Sequence, residues 1–468
     1  IGGGYGGLAY FLSLIFGENL QYSIIDIPES LAFSAIYLTI NKQTKTDYDR
    51  VVHTAKKTSD NLQIGYEILT GGEKVPLNSG DLSTIQVWEE YIDAHNNKDL
   101  EAIKNLNVSL VVVGPEVPLV NGLTDFIKCD KDLKDIIVIG PNKHAAQLEG
   151  SKDFAKDFLN RHRIPTASHK TFTAENINEA FSYIDEMKAP YVLKADGLAA
   201  GKGVLIIDNP DEAKNEIHEM LVNSKFGDAS KSVVVEEFLD GIELSCFVIT
   251  DGQDYKLLPS AKDYKRIGEG DTGLNTGGMG AVSPPTFLTK EFKEKVEKQV
   301  IQPTIEGFKK DNINYQGFIF FGLIKVNDEP YVIEYNVRMG DPESEVVLPR
   351  IKSDLLELFC AAGNGNLKDH NIIIDDKKAA TVFLVSGGYP EQYEKDKEIF
   401  GLDSVLDSLV FHAGAKYEDG KVKTNGGRVI AITSIENSVQ EALEKSYHSI
   451  KKISFEKMNY RKDIGFDL

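Results

Sequence analysis

Apolar residues recur along the chain with periods near 3.6 and near 2, and the exchange between the two lays out the expected elements. At the N-terminal end the pattern predicts a strand end at Ile1, a helix over about 8–16, a strand over 22–27 and a helix after Pro28, which is a β-α-β start. Residues 41–82 turn polar and Lys-rich around Gly71-Gly72, and an amphipathic helix is expected over about 84–106, carrying the only Trp, Trp88. Two continuous apolar runs follow, 110–113 stopping at Gly114-Pro115-Glu116 and 136–139 stopping at Gly140-Pro141. They read as buried parallel strands joined by one crossover helix. Beyond a helical stretch at 147–161 the pattern becomes mixed, with strands expected at 191–194, 204–207, 233–236, 245–250, 317–326 and 331–333. From about Ala379, strands at 381–386 and 428–434 and a helix at 439–452 suffice for a small separate lobe. The expected fold class is α/β and α+β, with a Rossmann-like N-terminal region completed by the Gly114 and Gly140 strands, central lobes and a small C-terminal lobe.

A length of 468 residues suggests about three domains. With 41% apolar and 26% charged residues, and no tract of about 20 uninterrupted apolar residues, the composition excludes a disordered chain and a membrane-spanning helical one. The 52 Lys and Arg against 72 Asp and Glu leave a formal charge of -20. That surplus argues against binding nucleic acid or anionic lipid, while a local basic cleft remains open to a phosphorylated small molecule. Cys129, Cys246 and Cys360 have no C-x-x-C spacing, so neither a disulfide framework nor a zinc knuckle is supported, and a reducing cytoplasm fits. No Met opens the chain, so no signal peptide is read and the start is expected to be missing.

Four segments carry candidate chemistry. Lys194-Ala195-Asp196-Gly197-Leu198-Ala199-Ala200-Gly201-Lys202-Gly203 leaves a strand, passes through small residues and re-enters a strand. Small residues let backbone N–H groups approach phosphate oxygens, and Lys194 and Lys202 bring charge from either side. A Walker A loop would need Ser or Thr and then a helix after the second Lys, where this chain has Gly203 and a strand. The alternative is a hairpin with solvated lysines. In Glu236-Glu237-Phe238-Leu239-Asp240-Gly241-Ile242-Glu243 a strand end beside an apolar pair can meet the Watson–Crick edge of adenine, with a later carboxylate accepting from ribose hydroxyls; the alternative is an acidic, solvated strand end. Glu334 and Asn336 are two apart, so on a strand they share a face, and a carboxylate with an amide oxygen suits Mg²⁺ on nucleotide phosphates. Arg338 alternates onto the same face, and a plain strand cap is the alternative. In Asp263-Tyr264-Lys265-Arg266 through Asn275-Thr276-Gly277-Gly278-Met279-Gly280, glycines permit close backbone approach to a ligand and Lys265-Arg266 can neutralise phosphate charge. The alternative there is a mobile surface loop.

These segments occur in order with Gly114-Pro115-Glu116-Val117-Pro118-Leu119, Ala146-Gln147-Leu148-Glu149-Gly150-Ser151-Lys152 and Thr424-Asn425-Gly426-Gly427-Arg428. Together they resemble the phosphoribosylamine–glycine ligase family, also called glycinamide ribonucleotide synthetases, of the ATP-grasp superfamily, over about 107–468. The resemblance implies that ATP, glycine and 5-phosphoribosylamine give glycinamide ribonucleotide, ADP and phosphate through glycyl phosphate, in purine synthesis. It implies the remaining strands of a substrate domain over 107–150, an ATP-grasp domain over 151–375 and a C-terminal lobe over 376–468. ATP would be held by Lys152, Lys194, Gly201, Lys202, Gly203, Glu236, Glu237, Phe238, Leu239 and Glu243, and Mg²⁺ or Mn²⁺ by Glu334 and Asn336. Gly114, Pro115 and Glu116, with Asn275, Thr276, Gly277, Gly278 and Gly280, would line the other substrates. Asp263, Lys265, Arg266 and Arg338 are the catalytic candidates. A cytoplasmic monomer is expected, with no nucleic-acid or membrane partner.

Residues 1–106 depart from the family. Where it has a loop of the type G-N-G-G-R-E-H-A holding the phosphoribosyl group, this chain has Ile1-Gly2-Gly3-Gly4-Tyr5-Gly6-Gly7-Leu8, without Arg, Glu or His. With Ile24-Ile25-Asp26, residues 1–43 resemble instead the S-adenosylmethionine loop of a Rossmann-like methyltransferase. The segment 84–106 resembles neither family. A methyltransferase, or an ATP-binding protein with impaired ligase activity, is therefore the alternative function, and the chain is expected to bind Mg-ATP but to form glycinamide ribonucleotide poorly.

Overall fold

The structure is a computed structural model that describes residues 103–104, 108–198 and 203–468, together with the backbone of two earlier strands, β1 (Leu20–Asp26) and β2 (Ser34–Ile40). The helices expected over 8–16 and 84–106 and the glycines from Gly2 to Gly7 lie outside the described residues. β1 and β2 pair antiparallel, with Ile24 opposite Ile36, and β2 pairs antiparallel with β3 (Leu110–Val113). A strand therefore stands where a helix was expected after Pro28. The segment Ser34–Ile40 is rich in Ile, Tyr and Thr, residues that favour a pleated strand over a helix. The second expectation holds: β3 and β4 (Ile137–Ile139) run parallel, Val111 opposite Val138. All four residues of β3 are buried, which is why it reads as an unbroken apolar run. The crossover is two short helices, Glu116–Asn121 and Leu123–Cys129, separated at Gly122, whose φ of 95° only glycine adopts without strain.

In chain order the remaining strands are β5 (His169–Thr173), β6 (Tyr191–Ala195), β7 (Val204–Ile207), β8 (Ser232–Glu237), β9 (Ile242–Thr250), β10 (Tyr255–Leu257), β11 (Lys262–Asp263), β12 (Arg266–Gly268), β13 (Thr272–Asn275), β14 (Gly280–Ser283), β15 (Gly317–Val326), β16 (Glu329–Asn336), β17 (Lys378–Val385), β18 (Leu409–His412), β19 (Ala415–Glu418), β20 (Lys421–Thr424) and β21 (Arg428–Glu436). Two antiparallel sheets, ordered β5-β8-β6-β7 and β10-β9-β15-β16, form the central lobes. The first is backed by the helices Ile177–Glu186 and Pro210–Leu221. In the latter, Ala213, Ile217, Met220 and Leu221 are buried on one stripe, and Asn209 starts the helix by accepting the N–H groups of Asp211 and Glu212, a cap that contributes about 1 kcal/mol. The apolar core under β9, β15 and β16 is continuous with that of the β3 and β4 region, through Val111, Leu119, Val138, Phe321 and Tyr335. The first central lobe has its own core around Leu193, Ile217 and Val235.

The C-terminal segment does not stand apart. β11 and β14, which border the glycine-dense loop, lie in one sheet with the C-terminal strands, in the order β11-β14-β17-β21-β18. Ala281 of β14 sits opposite Thr381 of β17. The helix Val439–Ile450, opened by a Ser438–Glu441 capping box, covers this sheet. The lobe expected from about Ala379 thus takes β11 and β14 of the preceding region into its sheet.

Candidate active site

The two central sheets meet where Lys194 leaves β6. Its Nζ lies 3.0 Å from Glu236 Oε2 and donates to the Ile333 carbonyl of β16 at 3.2 Å. In the β6–β8 register Lys194 faces Val234, so Glu236 is its diagonal neighbour on the same sheet face. The helical stretch expected over 147–161 breaks at Ser151, which is extended and accepts the Phe154 N–H, so a new helix, Lys152–Arg161, starts beside the Lys194 loop. Lys152 and Lys156, four apart, share a face of that helix. Lys152 Nζ donates to the Gly197 carbonyl at 3.2 Å, and Lys156 Nζ lies 3.0 Å from the same Glu236 oxygen while donating to Thr166 Oγ1 at 2.7 Å. Asp196 fixes the loop by accepting from Ser151 Oγ, the Asp153 N–H and Ser232 Oγ. Burial depresses Lys152, and it depresses Lys156 to about 8. Burial pushes the Glu236 carboxyl up, but Lys194 and Lys156 outweigh it and hold the group below its ordinary value.

Glu334 and Asn336 both lie within β16, which runs on past Ile333, and not beyond the strand end. Glu334 is exposed and Asn336 is buried, with its Nδ2 lacking any hydrogen-bond partner among the described residues. Gly322 of β15 is the register partner of Glu334, and a Cβ there would come within 3.0 Å of Glu334 Cγ, so glycine leaves room for the carboxylate. Lys265 reaches the same cleft. Its Nζ is 2.6 Å from Glu243 and 4.0 Å from Asp263, and Asp263, Glu243 and Glu334 together hold its ammonium well above the usual range. Lys265 and Glu243 are each 49% exposed, so this pair steers charge and contributes under about 1 kcal/mol to stability.

Other candidates fall elsewhere. Lys265 and Arg266 point to different partners: Lys265 precedes β12 and reaches Glu243, while Arg266, the first residue of β12, donates to the Gly273 carbonyl of β13, with exposed Asn275 opposite it. Arg338 lies beyond the end of β16, where alternation no longer governs its direction; its guanidinium is bound to Glu116 at 3.2 Å and Glu149 at 2.8 Å. It therefore joins the loop after β3, with Gly114 and Pro115, to the strand carrying Glu334. Phe238 and Leu239 leave the ladder after Glu237, whose carboxylate accepts the Ser168 N–H, so the 238–239 backbone is not taken up by the sheet, whereas the Glu236 backbone stays within it. Gly203 accepts the Ala195 N–H through its carbonyl, while Gly201 and Lys202 lie outside the described residues. Thr276 Oγ1 donates to the Lys265 carbonyl and accepts the Gly278 N–H, and Gly280 opens β14. Sequence reasoning missed Lys156, although its spacing from Lys152 marks it, and gave no role to Arg428, Tyr389 or Glu343.

Glu343 and Glu149 give the fold a pH dependence. Glu343 is enclosed beside Asp263 with Ser245 Oγ donating to it at 2.9 Å, and burial with the neighbouring carboxylate lifts it to about 8. Burial lifts Glu149 to about 7 despite Arg338. A carboxyl lifted on folding binds its proton more tightly in the native state, so its contribution is complete below the ordinary carboxylate range and is lost as pH rises through the lifted value. Half-buried His412, depressed from 6.5 to about 4, acts oppositely in a rise that fades above about pH 7, and Lys156, depressed to about 8, opposes only from there upward. Chemical denaturation at pH 6.5 and 8.0 should therefore show stability falling with pH, by at most about 1.4 kcal/mol per unit for each full proton. A flat or rising profile would mean these carboxyls are ionised in the folded protein.

The order of these groups along the chain is shared with known proteins. A phosphoribosylamine–glycine ligase of Fusobacterium nucleatum is 45% identical over 368 residues, 78% of this chain and 85% of that protein. The chain belongs to the phosphoribosylglycinamide synthetase family. Models of the synthetase N domain, ATP-grasp (A) domain and C domain match residues 73–149, 150–344 and 379–467. The N-domain match begins ahead of Asn107 and takes in the segment 84–106, whose own residues resemble neither family. A phosphoribosylamine–glycine ligase of Pasteurella multocida is 42% identical over 84% of this chain and 90% of its own. The crystal structure of the Thermotoga maritima ligase superposes with a TM-score of 0.69 at 34% identity, covering 86% of this chain and 96% of that one. The synthetase is an ATP-dependent carbon–nitrogen ligase of purine biosynthesis with the mixed α/β fold of the ATP-grasp enzymes, which sets aside the methyltransferase alternative. Among the described residues no helix is long and apolar enough to cross a membrane.

Proposed function

We propose that the cleft between β6 and β16 binds Mg-ATP and joins glycine to 5-phosphoribosylamine, giving glycinamide ribonucleotide, ADP and phosphate through glycyl phosphate. One observation carries this reading: Lys194 donates to the carbonyl of Ile333, the residue before Glu334, so a phosphate-binding cation and a metal-binding carboxylate from different sheets lie within the span of one nucleotide. Lys152 and Lys194 bind phosphate oxygens, the 238–239 backbone takes adenine, and Glu243 takes the ribose. Glu334 and Asn336 would hold the divalent ion; both offer hard oxygens, and Asn336 is not fully committed to protein contacts. Magnesium or manganese, when bound, neutralises charge on the phosphate oxygens.

A glycine carboxylate oxygen attacks the γ-phosphorus and the bond to ADP breaks. The amine of phosphoribosylamine then attacks the acyl carbon, phosphate leaves, and the nitrogen loses a proton. Neither step needs a strong acid or base, so positioning and charge neutralisation by Lys152, Lys194 and Lys265 account for most of the rate. The reading takes in a cytoplasmic monomer, its location supported by three free cysteines. ADP release should require glycine and phosphoribosylamine together. Release that ignores either substrate would defeat this function.

A further inference from the structure

The C-terminal lobe carries none of the expected site residues, yet both polar groups of the Gly277 peptide end on it. The Gly277 N–H donates to the Tyr389 hydroxyl at 3.0 Å, and its carbonyl accepts from Arg428 at 2.7 Å. The same guanidinium binds both Asp341 oxygens, at 2.8 and 2.6 Å, and lies over the Phe383 ring. Contact is close enough to exclude a side chain: a Cβ on Gly277 would meet Arg428 Cζ at 2.9 Å. At Gly278, where φ is +114°, a Cβ would meet Pro342 at 2.3 Å. One buried cation therefore spans the loop before β14 and the turn after the strand bearing Glu334 and Asn336.

We infer that Arg428 and Tyr389 are positioning residues for the ligation, fixing where the acceptor substrates meet the phosphoryl end of the nucleotide; this rests on the function proposed above. Arg428 has a side chain only 4% exposed, so it acts through what it holds. The loop it holds passes movement on, because Thr276 is bonded through both its N–H and its hydroxyl to the Lys265 carbonyl, and Lys265 stands between Glu243 and Asp263. The nucleotide-binding groups Lys152, Lys194 and Glu236 have their bonds within the other lobe and to β16, none of them to Gly277. Loosening the loop should consequently spare nucleotide binding and impair use of glycine and phosphoribosylamine.

The test uses the full chain with Tyr389→Phe, which removes one hydroxyl, and Arg428→Lys, which keeps the charge but cannot grip Asp341 at two points while reaching Gly277. Mg-ATP affinity by calorimetry should stay within about 2-fold. kcat/KM for glycine and for phosphoribosylamine should fall about 10-fold in Tyr389→Phe and about 100-fold in Arg428→Lys, as misplacement of a reactant by about 1 Å would produce. Unchanged kcat/KM in both variants overturns the inference, and so does a loss of ATP affinity in step with turnover, which is what a merely structural role gives. Failure of the unsubstituted protein to bind Mg-ATP would instead bring down the proposed function, and this inference with it. Because Tyr389→Phe preserves ring packing against Gly427, its result stands even if Arg428→Lys does not fold.

Discussion

Replacing Glu334 with Gln is expected to lower turnover about 100-fold or more while leaving the melting temperature within a few degrees of the parent. Loss of one properly placed charge-stabilising group at a phosphoryl-transfer centre costs on that order. Glu334 is exposed on β16, faces a glycine across the ladder and makes no ion pair with a described residue, so an isosteric amide disturbs no packing. What changes is the donor set: a carboxylate and an amide become two amides, and a hard divalent ion prefers the charged oxygen. The loss should accordingly be partly recovered by raising magnesium, and the apparent magnesium requirement should rise with it. Asn336→Ala should show the same shift with a larger stability cost, because Asn336 is buried. Full activity of Glu334→Gln at low magnesium would assign the ion to other residues.

Much of this site was legible because its parts lie on strands whose pattern is local. The apolar run of β3 announces a doubly covered strand, and the two-residue spacing of Glu334 and Asn336 fixes their common face whatever packs around them. The remainder depends on distant closure. Arg428 and Asp341 are 87 positions apart, and no local pattern tells a strand-borne Arg that ends buried from one that ends in water. Lys265 and Arg266 look like a doubled cation in sequence, but Lys265 ahead of β12 reaches Glu243 in the cleft while Arg266, opening β12, bonds within its own hairpin. The C-terminal segment has enough elements for a lobe of its own, yet β14 supplies an edge that β17 pairs with, and an open edge strand is rarely left unpaired. The same composition that suggested a helix after Pro28 holds enough β-branched and aromatic residues for β2, and the tertiary partner β3 decides between them.

Replacing Glu236 with Gln should be the most destabilising single change at the cleft, about 3 kcal/mol at pH 7, and should make the protein unusually dependent on nucleotide. Glu236 is the only carboxylate in contact with Lys156 and Lys194 among the described residues, and all three side chains are at most 6% exposed. Removing one member of a buried ionic cluster leaves its partners charged without solvent or counter-ion, which is costlier than never having built the cluster. Two consequences separate this account from a simple packing defect. Lys156 already sits near 8 with the carboxylate beside it; without that carboxylate its pKa falls further, so it can shed its proton, and the deficit should shrink between pH 7 and pH 9. Phosphate oxygens bound by Lys194 would restore the missing negative charge, so Mg-ATP should bind Glu236→Gln more tightly than the parent and, at a fixed concentration, raise its melting temperature more. A deficit that neither pH nor nucleotide relieves would mean that Glu236 acts through packing alone, and that the two lysines are not held ready for phosphate.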